Sequence, residues 1–486
     1  MASLRGRGLV LAAVLVTMGT VATATIIGRP SGPGGGSAAT AQVSGAPTAP
    51  AGPAGTQSIA ATPGPSAGPP TAPPGIIAGS VDRTSVDLAA TYDADVRLGF
   101  DDRSLAVDVT IAVTNRSGDG IDRIELNTIT AKLGDLRLRQ VEIDGNPADA
   151  KVQGQSIVVP LGGVLPDGAV TTLRVRLGAY LRSNLDGSNW MFTRTGGILQ
   201  ASRWLPWVGL QRPFDRPNHG DPFFTALSPH VRVRITSDRR LVIATPGARI
   251  AADGLTQTFE AENVRDFHIV ASPSFRIRER CVGDWTVRAY VRPGFPTATV
   301  LDDAADGLIR MSELAGAYPY STFTIAQTAG GYALEGPGMI WIPTGLAGSR
   351  LHWNVYHETA HQWFYGLVGS DGALDPFADE AVATHLGQVV SGIWRSNSCP
   401  WRRLDLSIYR YSTSCYFGQI YLHGAQLLRS VRRTMGSAAF WEATRDYITA
   451  HRFAIGSTAA FLETLQAHTS KDLRPILAPW FPSIYN

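Results

Sequence analysis

Two histidines separated by three residues, in the segment 356–363, constrain this chain more than any other feature. Residues four apart in a helix lie on one face, so the imidazoles of His357 and His361 can bind a single metal ion. Glu358 lies between them and is placed to act as a base toward water on that metal. This arrangement is the HExxH signature of zinc sites. The sequence therefore predicts a helix that supplies two ligands to a metal ion.

A catalytic zinc ion needs three protein ligands and one open position, so a third donor must lie elsewhere in the chain. Glu380 is the candidate, because it follows His361 after eighteen residues in a segment that predicts a second helix packed against the first. The alternative is a chance HExxH on an ordinary amphipathic helix, and the correctly spaced acid argues against it. With Glu358 as the base, these residues favour zinc-assisted hydrolysis of an amide bond.

The run H-E-T-A-H-Q-W-F-Y-G-L-V, followed later by D-E-A-V-A-T, resembles the alanyl aminopeptidase family of gluzincin zinc metallopeptidases. That family has HExxH, eighteen residues and then Glu, usually as Asn-Glu-Gly where this chain has Asp379-Glu380-Ala381. The resemblance covers about residues 85–480. It implies one Zn²⁺ per chain, a peptide as substrate and a thermolysin-like catalytic domain.

Two further stretches extend the resemblance and imply roles for two more residues. The segment 331–340 is similar to the family's Gly-x-Met-Glu-Asn strand, which makes Glu335 the residue that holds the substrate's α-amino group. The segment 420–428 is similar to the family's Tyr-x-Lys-Gly segment, which makes Tyr421 the donor to the tetrahedral oxyanion. The residues alone also allow Tyr421 to be a core residue and Glu335 to be a structural or solvated carboxylate on a turn.

The N-terminus predicts export from the cytoplasm. Basic residues near the start precede an uncharged run from residue 8 to residue 28, which is long enough to cross a bilayer. We interpret residues 1–28 as an uncleaved signal anchor, with a cleaved signal peptide as the alternative because Ala22-Thr23-Ala24 offers a cleavage site. The protein is expected at the cell membrane as a single-pass protein with an extracytoplasmic catalytic domain, or secreted if cleavage occurs. Residues 29–82 are rich in Pro, Gly and Ala and predict a disordered linker.

The remainder of the chain predicts an α+β protein with two domains. Apolar and polar residues alternate within 83–285, for example at 105–113, 173–177 and 231–235, which predicts an N-terminal antiparallel β-domain. Helical spacing dominates from 286 to 486, the predicted catalytic domain. Many relatives continue into a C-terminal helical domain that this chain lacks, so a short form with an open cleft is expected.

The charge of the chain bears on which partners it can bind, and its cysteine content bears on which disulfide bonds it can form. Charged residues make up 17% of the chain and the net charge is +3, without a basic block, so no nucleic-acid partner is predicted. Three cysteines in an exported protein suggest one bridge, for which Cys399 and Cys415 are the expected pair, leaving Cys281 free. Unpaired buried thiols are the alternative at those two positions.

The function predicted from these observations is zinc-dependent removal of N-terminal residues from peptides outside the cytoplasm. A zinc endopeptidase with an open cleft is the main alternative. A non-catalytic surface binding protein on the same fold is a further one. No oligomeric state is predicted.

Overall fold

The computed structural model describes residues 75–214, 219–396 and 399–485, all within one structural unit. The predicted anchor at 1–28 and the linker up to residue 74 lie outside these residues. None of the helices in the described part is long and apolar enough to cross a bilayer.

The last residues of the predicted linker bond to the β-region. Ile77 pairs with Val164 through backbone hydrogen bonds of 2.8 Å. The carboxylate of Asp122 accepts hydrogen bonds from the hydroxyl of Ser80 and from the backbone N–H groups of residues 81–83. The hydrogen-bonded fold therefore begins before residue 83.

Strands dominate the described chain up to residue 275, with one short helix, α1 (Thr130–Leu133), and a 3₁₀ turn at Asn189–Met191. The strands are β1 (Leu88–Leu98), β2 (Ser104–Asn115), β3 (Ile121–Asn127), β4 (Arg137–Ile143), β5 (Asn146–Pro147), β6 (Lys151–Gln153), β7 (Ser156–Leu165), β8 (Val170–Tyr180), β9 (Phe192–Thr195), β10 (Ile198–Ala201), β11 (Trp207–Leu210), β12 (Phe224–Thr225), β13 (Ser228–Ser237), β14 (Val242–Ala244), β15 (Ala248–Asp253), β16 (Thr256–Val264) and β17 (Ile269–Ser272). They form an eight-stranded sheet in the order β15-β16-β13-β1-β2-β8-β4-β5 and two smaller sheets, β14-β17-β10-β9 and β12-β11-β3-β7-β6.

The predicted alternation is confirmed in the eight-stranded sheet. The apolar residues expected on its inner face are all buried: Leu105, Val107, Val109, Ile111, Val113, Leu173, Val175, Leu177, Val231, Val233 and Ile235. A turn at Asp144-Gly145 joins β4 to β5, and both residues have positive φ, 49° and 80°, as a tight two-residue hairpin turn requires. Burial of one face thus fixes the register of these strands.

One strand pair departs from the antiparallel prediction. Strand β1 runs parallel to β13, with Tyr92 opposite Val231. A long stretch of chain separates these two strands, so no tight hairpin forces them to run in opposite directions. The expectation of an antiparallel β-domain is therefore wrong at this pair.

Helices take over in the second half, which makes the architecture α+β as predicted. The elements are β18 (Arg276–Val282), β19 (Trp285–Val291), α2 (Thr297–Ala315), β20 (Thr322–Thr328), β21 (Leu334–Gly336), β22 (Met339–Pro343), α3 (Gly348–Ala360), α4 (Val382–Ser391), α5 (Thr413–Tyr416), α6 (Gly424–Met435), α7 (Ser437–Ala450), α8 (Thr458–Ala467), α9 (Arg474–Leu477) and α10 (Pro482–Tyr485). A 3₁₀ turn lies at Ile408–Arg410, and π-helical turns precede α4 at Phe377–Ala381 and α6 at Phe417–His423. The predicted domain boundary, between residues 285 and 286, falls inside the β18–β19 hairpin.

A mixed five-stranded sheet, β18-β19-β20-β22-β21, lies between the two hydrophobic cores. On β22, Met339 and Trp341 belong to the core of the β-region, whereas Ile340 and Ile342 belong to the core of the helical region. Because both faces of the sheet are buried at β22, its sequence is continuously apolar rather than alternating. The edge strand β21 beside it carries Glu335.

The predicted disulfide bond between Cys399 and Cys415 is confirmed, with the two Cα atoms 5.8 Å apart. It ties the segment that follows α4 to helix α5. Cys281 is a free, exposed thiol on β18.

Candidate metal centre

Helix α3 places the two histidines of the HExxH run. Leu351 and Val355 bury one side of the helix, and His357 occupies its last turn. His361 directly follows the helix but keeps helical dihedral angles, φ −63° and ψ −9°, so the spacing of one helical turn is preserved. The Nε2 atoms of the two imidazoles lie 3.2 Å apart. Both rings are buried and converge on one point.

Glu380 reaches the same point from the π-helical turn that precedes α4. Its Oε2 atom lies 3.4 Å from Nε2 of His357 and 3.3 Å from Nε2 of His361. This oxygen is buried and accepts no hydrogen bond from any described residue. A buried carboxylate oxygen in that condition needs a cation or donor. Single π-helical turns of this kind recur at functional sites.

These three atoms have the geometry of a metal-ligand set. Ligand atoms 2.0–2.2 Å from a tetrahedral metal ion are separated from one another by about 3.3–3.6 Å. The separations among His357, His361 and Glu380 are 3.2, 3.3 and 3.4 Å. Two imidazoles with one carboxylate also leave a fourth position open, as in hydrolytic zinc sites. The residues present therefore fit a tetrahedral metal ion.

Neighbouring groups fix the orientation of the His361 imidazole. Its Nδ1 lies 2.9 Å from the carbonyl oxygen of Phe364 and 2.7 Å from Oδ1 of Asp379. A carbonyl oxygen can only accept, so Nδ1 carries a proton and Nε2 is the nitrogen that faces His357 and Glu380. Although burial opposes it, the carboxylates of Asp379 and Glu380 raise the pKa of His361 above its usual value, so a metal ion that binds at Nε2 displaces a proton. Burial lowers the pKa of His357 to about 4, which favours its neutral imidazole.

Two further carboxylates face the metal position. An oxygen of Glu335 and an oxygen of Glu358 lie with a ring nitrogen of His361 inside a group whose atoms are all within 4.8 Å of one another. Burial raises the pKa of Glu335 to about 8 and the pKa of Glu358 well above its usual value, because both carboxylates lose hydration. Positive charge placed between them would oppose both shifts.

Gln362 connects β21, the strand of Glu335, to the end of α3 through hydrogen bonds. Its fully buried side chain donates to the carbonyl oxygen of Gly336 at 3.0 Å and accepts from the N–H of Gly338 at 2.8 Å. Gly338 has φ +69° in the β21–β22 turn, a conformation that favours glycine. Gln362, the neighbour of His361, therefore fixes the strand position of Glu335.

Tyr421 approaches the site from the π-helical turn before α6. Its hydroxyl donates a hydrogen bond to Oε1 of Glu380, the oxygen that does not face the histidines. Its ring centroid lies 5.3 Å from that of His357. Burial raises the pKa of Tyr421 well above its usual value, so the hydroxyl keeps its proton and remains a donor.

A cavity of about 420 Å³ opens over these groups. Glu335, His357, Glu358, Glu380 and Tyr421 all line it. The other lining side chains come from several elements: Trp190, Met191, His219, Asp221, Tyr332, Ala333, Leu334, Arg350, Trp353, Asn354, Arg395, Thr413, Tyr416 and Phe417. His361 lies behind the wall, fully buried.

The structure brings all six sequence-predicted site residues together, and it adds residues that the sequence analysis missed. Asp379 stands beside a predicted ligand, and that position was the signal that could have identified its contact with His361. Gln362 carried a weaker signal, as an amide directly after His361. Arg350 and Arg395 carried none, because nothing local marks a surface arginine as a cavity residue.

No protein-family model matches the sequence. Among solved structures, the fold is that of the M1 zinc metallopeptidases. A mutant M1 zinc metallopeptidase from Deinococcus radiodurans has 20% sequence identity and a TM-score of 0.64, with the alignment covering 81% of this chain and 94% of that one. A second structure from the same organism has 21% identity and a TM-score of 0.62, covering 79% and 91%. The mutant bound to the substrate Tyr-Ser-Ala matches with the same values as the first.

Proposed function

We propose that this protein is a zinc-dependent aminopeptidase of the M1 gluzincin family that removes N-terminal residues from peptides. The observation that carries the proposal is the triangle formed by His357, His361 and Glu380, two of which, His357 and Glu380, line one cavity with Glu358 and Glu335. The fold shared with M1 zinc metallopeptidases supports it.

In this proposal each side chain has a separate task. His357, His361 and Glu380 would hold a zinc ion, which would act as a Lewis acid and lower the pKa of a bound water to about 7. The carboxylate of Glu358 accepts the proton from the attacking water and passes it to the leaving amine. The hydroxyl of Tyr421, which donates to Glu380 when no substrate is bound, donates instead to the oxygen that develops negative charge.

Glu335 decides that the enzyme acts at an N-terminus. A buried carboxylate pairs strongly with a free α-ammonium group, and that pairing places the first peptide bond beside Glu358. Related structures support the assignment, since M1 zinc metallopeptidases of the same fold are described with L-tryptophan and with the substrate Tyr-Ser-Ala, both of which have a free α-amino group.

Metal analysis combined with turnover tests the proposal. The purified protein should contain about one zinc ion per chain and hydrolyse a fluorogenic aminoacyl amide. A chelator should remove both the metal and the activity, and added zinc should restore them. Activity that survives complete demetallation would contradict the zinc proposal. Bound zinc without turnover of any free peptide would favour the non-catalytic binding protein.

The contact between Asp379 and His361 should control metal affinity. Asp379→Ala removes the nearer of the two acceptors that orient the His361 imidazole, and we expect zinc affinity to fall about 10- to 100-fold. Competition with a chromogenic chelator measures this directly, without reference to turnover. Asp379→Asn keeps an acceptor oxygen and should lose less.

Asp375 offers a matched control four residues earlier. It accepts hydrogen bonds from the backbone and hydroxyl of Thr458, at the start of α8, rather than from a histidine. Asp375→Asn should therefore lower thermal stability without changing zinc affinity. Equal zinc affinity in Asp379→Ala and the wild type would remove Asp379 from the metal site.

We also propose that the protein acts outside the cytoplasm, attached to the membrane by residues 1–28. The uncharged run that follows basic residues supports this placement. The disulfide bond between Cys399 and Cys415 supports it as well, because such bonds persist in oxidising compartments. Digestion of intact cells with an added protease checks it, since an extracytoplasmic domain is cleaved and a cytoplasmic one is protected.

A further inference from the structure

Two arginines line the same cavity as the metal-binding residues and have no acidic partner there. Arg350 lies on α3, and Arg395 follows the end of α4. Among the described residues, no carboxylate lies within ion-pair distance of either guanidinium group. Burial and the neighbouring charge of Arg350 lower the pKa of Arg395. Two nearby cations without a counter-charge favour an anion between them.

Aromatic rings hold the guanidinium group of Arg395 in place. Its Cζ atom lies 5.1 Å from the ring centroid of Trp353 and 5.6 Å from that of Phe417. Stacking engages the flat face of a guanidinium group and leaves the N–H groups at its edge able to donate. A planar fork of this kind matches a carboxylate.

The arginines lie on the His357 side of the metal position. Trp353 stacks on the imidazole of His357, with centroids 4.8 Å apart and planes 11° from parallel. Arg395 is therefore at most about 10 Å from that imidazole, a span of two to three extended residues. Arg350 precedes His357 by seven residues, which is close to two helical turns and places it on the same face of α3.

Carboxylates surround the metal position itself. Oxygens of Glu335 and Glu358 lie within 4.8 Å of a ring nitrogen of His361. The cavity lining therefore combines these carboxylates with the guanidinium groups of Arg350 and Arg395. A short peptide with a free N-terminus and a nearby carboxylate has the complementary distribution of charge.

We propose that Arg350 and Arg395 form a carboxylate-binding subsite for the part of the peptide that follows the cleaved bond. This inference rests on the proposed aminopeptidase function and names its substrate class: short peptides that carry a carboxylate one to three residues after that bond. Either the C-terminus of the peptide or an acidic side chain supplies the carboxylate.

Two pairs of peptides, each matched in length, test the subsite. Ala-Ala-Ala against Ala-Ala-Ala-amide tests the C-terminal carboxylate, and Ala-Asp-Ala-amide against Ala-Asn-Ala-amide tests the side chain. At least one carboxylate member should have a kcat/KM about 10- to 100-fold higher than its amide partner, mainly through a lower KM, because hydrogen bonds to charged groups are strong. The arm that shows the preference identifies the source of the carboxylate.

Variants then assign the preference to the two arginines. The double variant Arg350→Gln/Arg395→Gln should bring the ratio within each pair close to one, and Arg395→Lys should restore part of it by returning the charge. Arg433→Gln, on the exposed surface of α6 and outside the cavity lining, is the matched control and should keep the wild-type ratio.

Each outcome decides the matter. A wild-type ratio near one in both pairs overturns the subsite, as does a preference that survives in the double variant. If no peptide is cleaved, the proposed function fails, and calorimetric titration of the zinc-loaded protein tests the subsite alone. The carboxylate peptides should then bind with a Kd about 10- to 100-fold lower than the amides, and equal Kd values overturn the subsite.

Discussion

Replacing Glu358 by glutamine should lower kcat by about 10²–10⁴ while the protein keeps its zinc. Glutamine has nearly the same shape as glutamate but cannot accept a proton at neutral pH, so proton transfer from water to the leaving amine is lost. Glu358 is buried and is not one of the three proposed metal ligands, His357, His361 and Glu380. Its replacement therefore leaves those ligands in place. Steady-state hydrolysis of a fluorogenic aminoacyl amide, combined with metal analysis of the same sample, checks both parts.

Two comparisons separate the loss of a base from general damage. Glu313→Gln, at an exposed position on α2, should retain wild-type turnover. His361→Ala should lose zinc as well as activity, because it removes a metal ligand. Wild-type turnover in Glu358→Gln would show that another group acts as the base.

The main features of the site were predictable because they depend on local spacing. An i, i+4 pair of histidines needs nothing more than one helical turn to converge, and the structure places His357 and His361 accordingly. The alternation that predicted strands is equally local, and one-sided burial enforces it. The position of Glu380 is less local, because Glu380 approaches the histidines only when α4 packs on α3. It was predictable because the spacing of eighteen residues matches the motif of the family that the sequence resembles.

Features that depend on the path of the chain were not predictable. The parallel pairing of β1 with β13 joins strands that are far apart in sequence. Arg395 reaches the cavity because Gly392, directly after α4, has a left-handed φ of +72° that turns the chain away from the helix axis. The hydrogen bonds of Gln362 to Gly336 and Gly338 form only when β21 lies against α3, and no local sequence pattern reveals that contact.

Replacing Glu335 by glutamine should lower kcat/KM for peptides with a free N-terminus by about 10²–10³, since an ammonium group then loses a buried counter-charge. Glu335 is 9% exposed and lies on the short edge strand β21, which Gln362 fixes to the histidine helix. The substitution preserves volume, so the strand should keep its place. Kinetics on one peptide with its N-terminus free and acetylated measure the effect.

The same pair of peptides distinguishes the aminopeptidase from the endopeptidase. In the wild type, acetylation removes the positive charge that we propose pairs with Glu335, so the acetylated peptide should be cleaved far more slowly than the free one. In Glu335→Gln that difference should nearly vanish, because the slow rate on acetylated peptides changes little while the fast rate on free peptides falls. A carboxylate that merely supports the β21–β22 turn would instead slow both peptides equally. Internal cleavage of acetylated peptides as fast as free ones, in both the wild type and Glu335→Gln, would make the protein an endopeptidase, with the metal site and Glu358 unchanged in their roles.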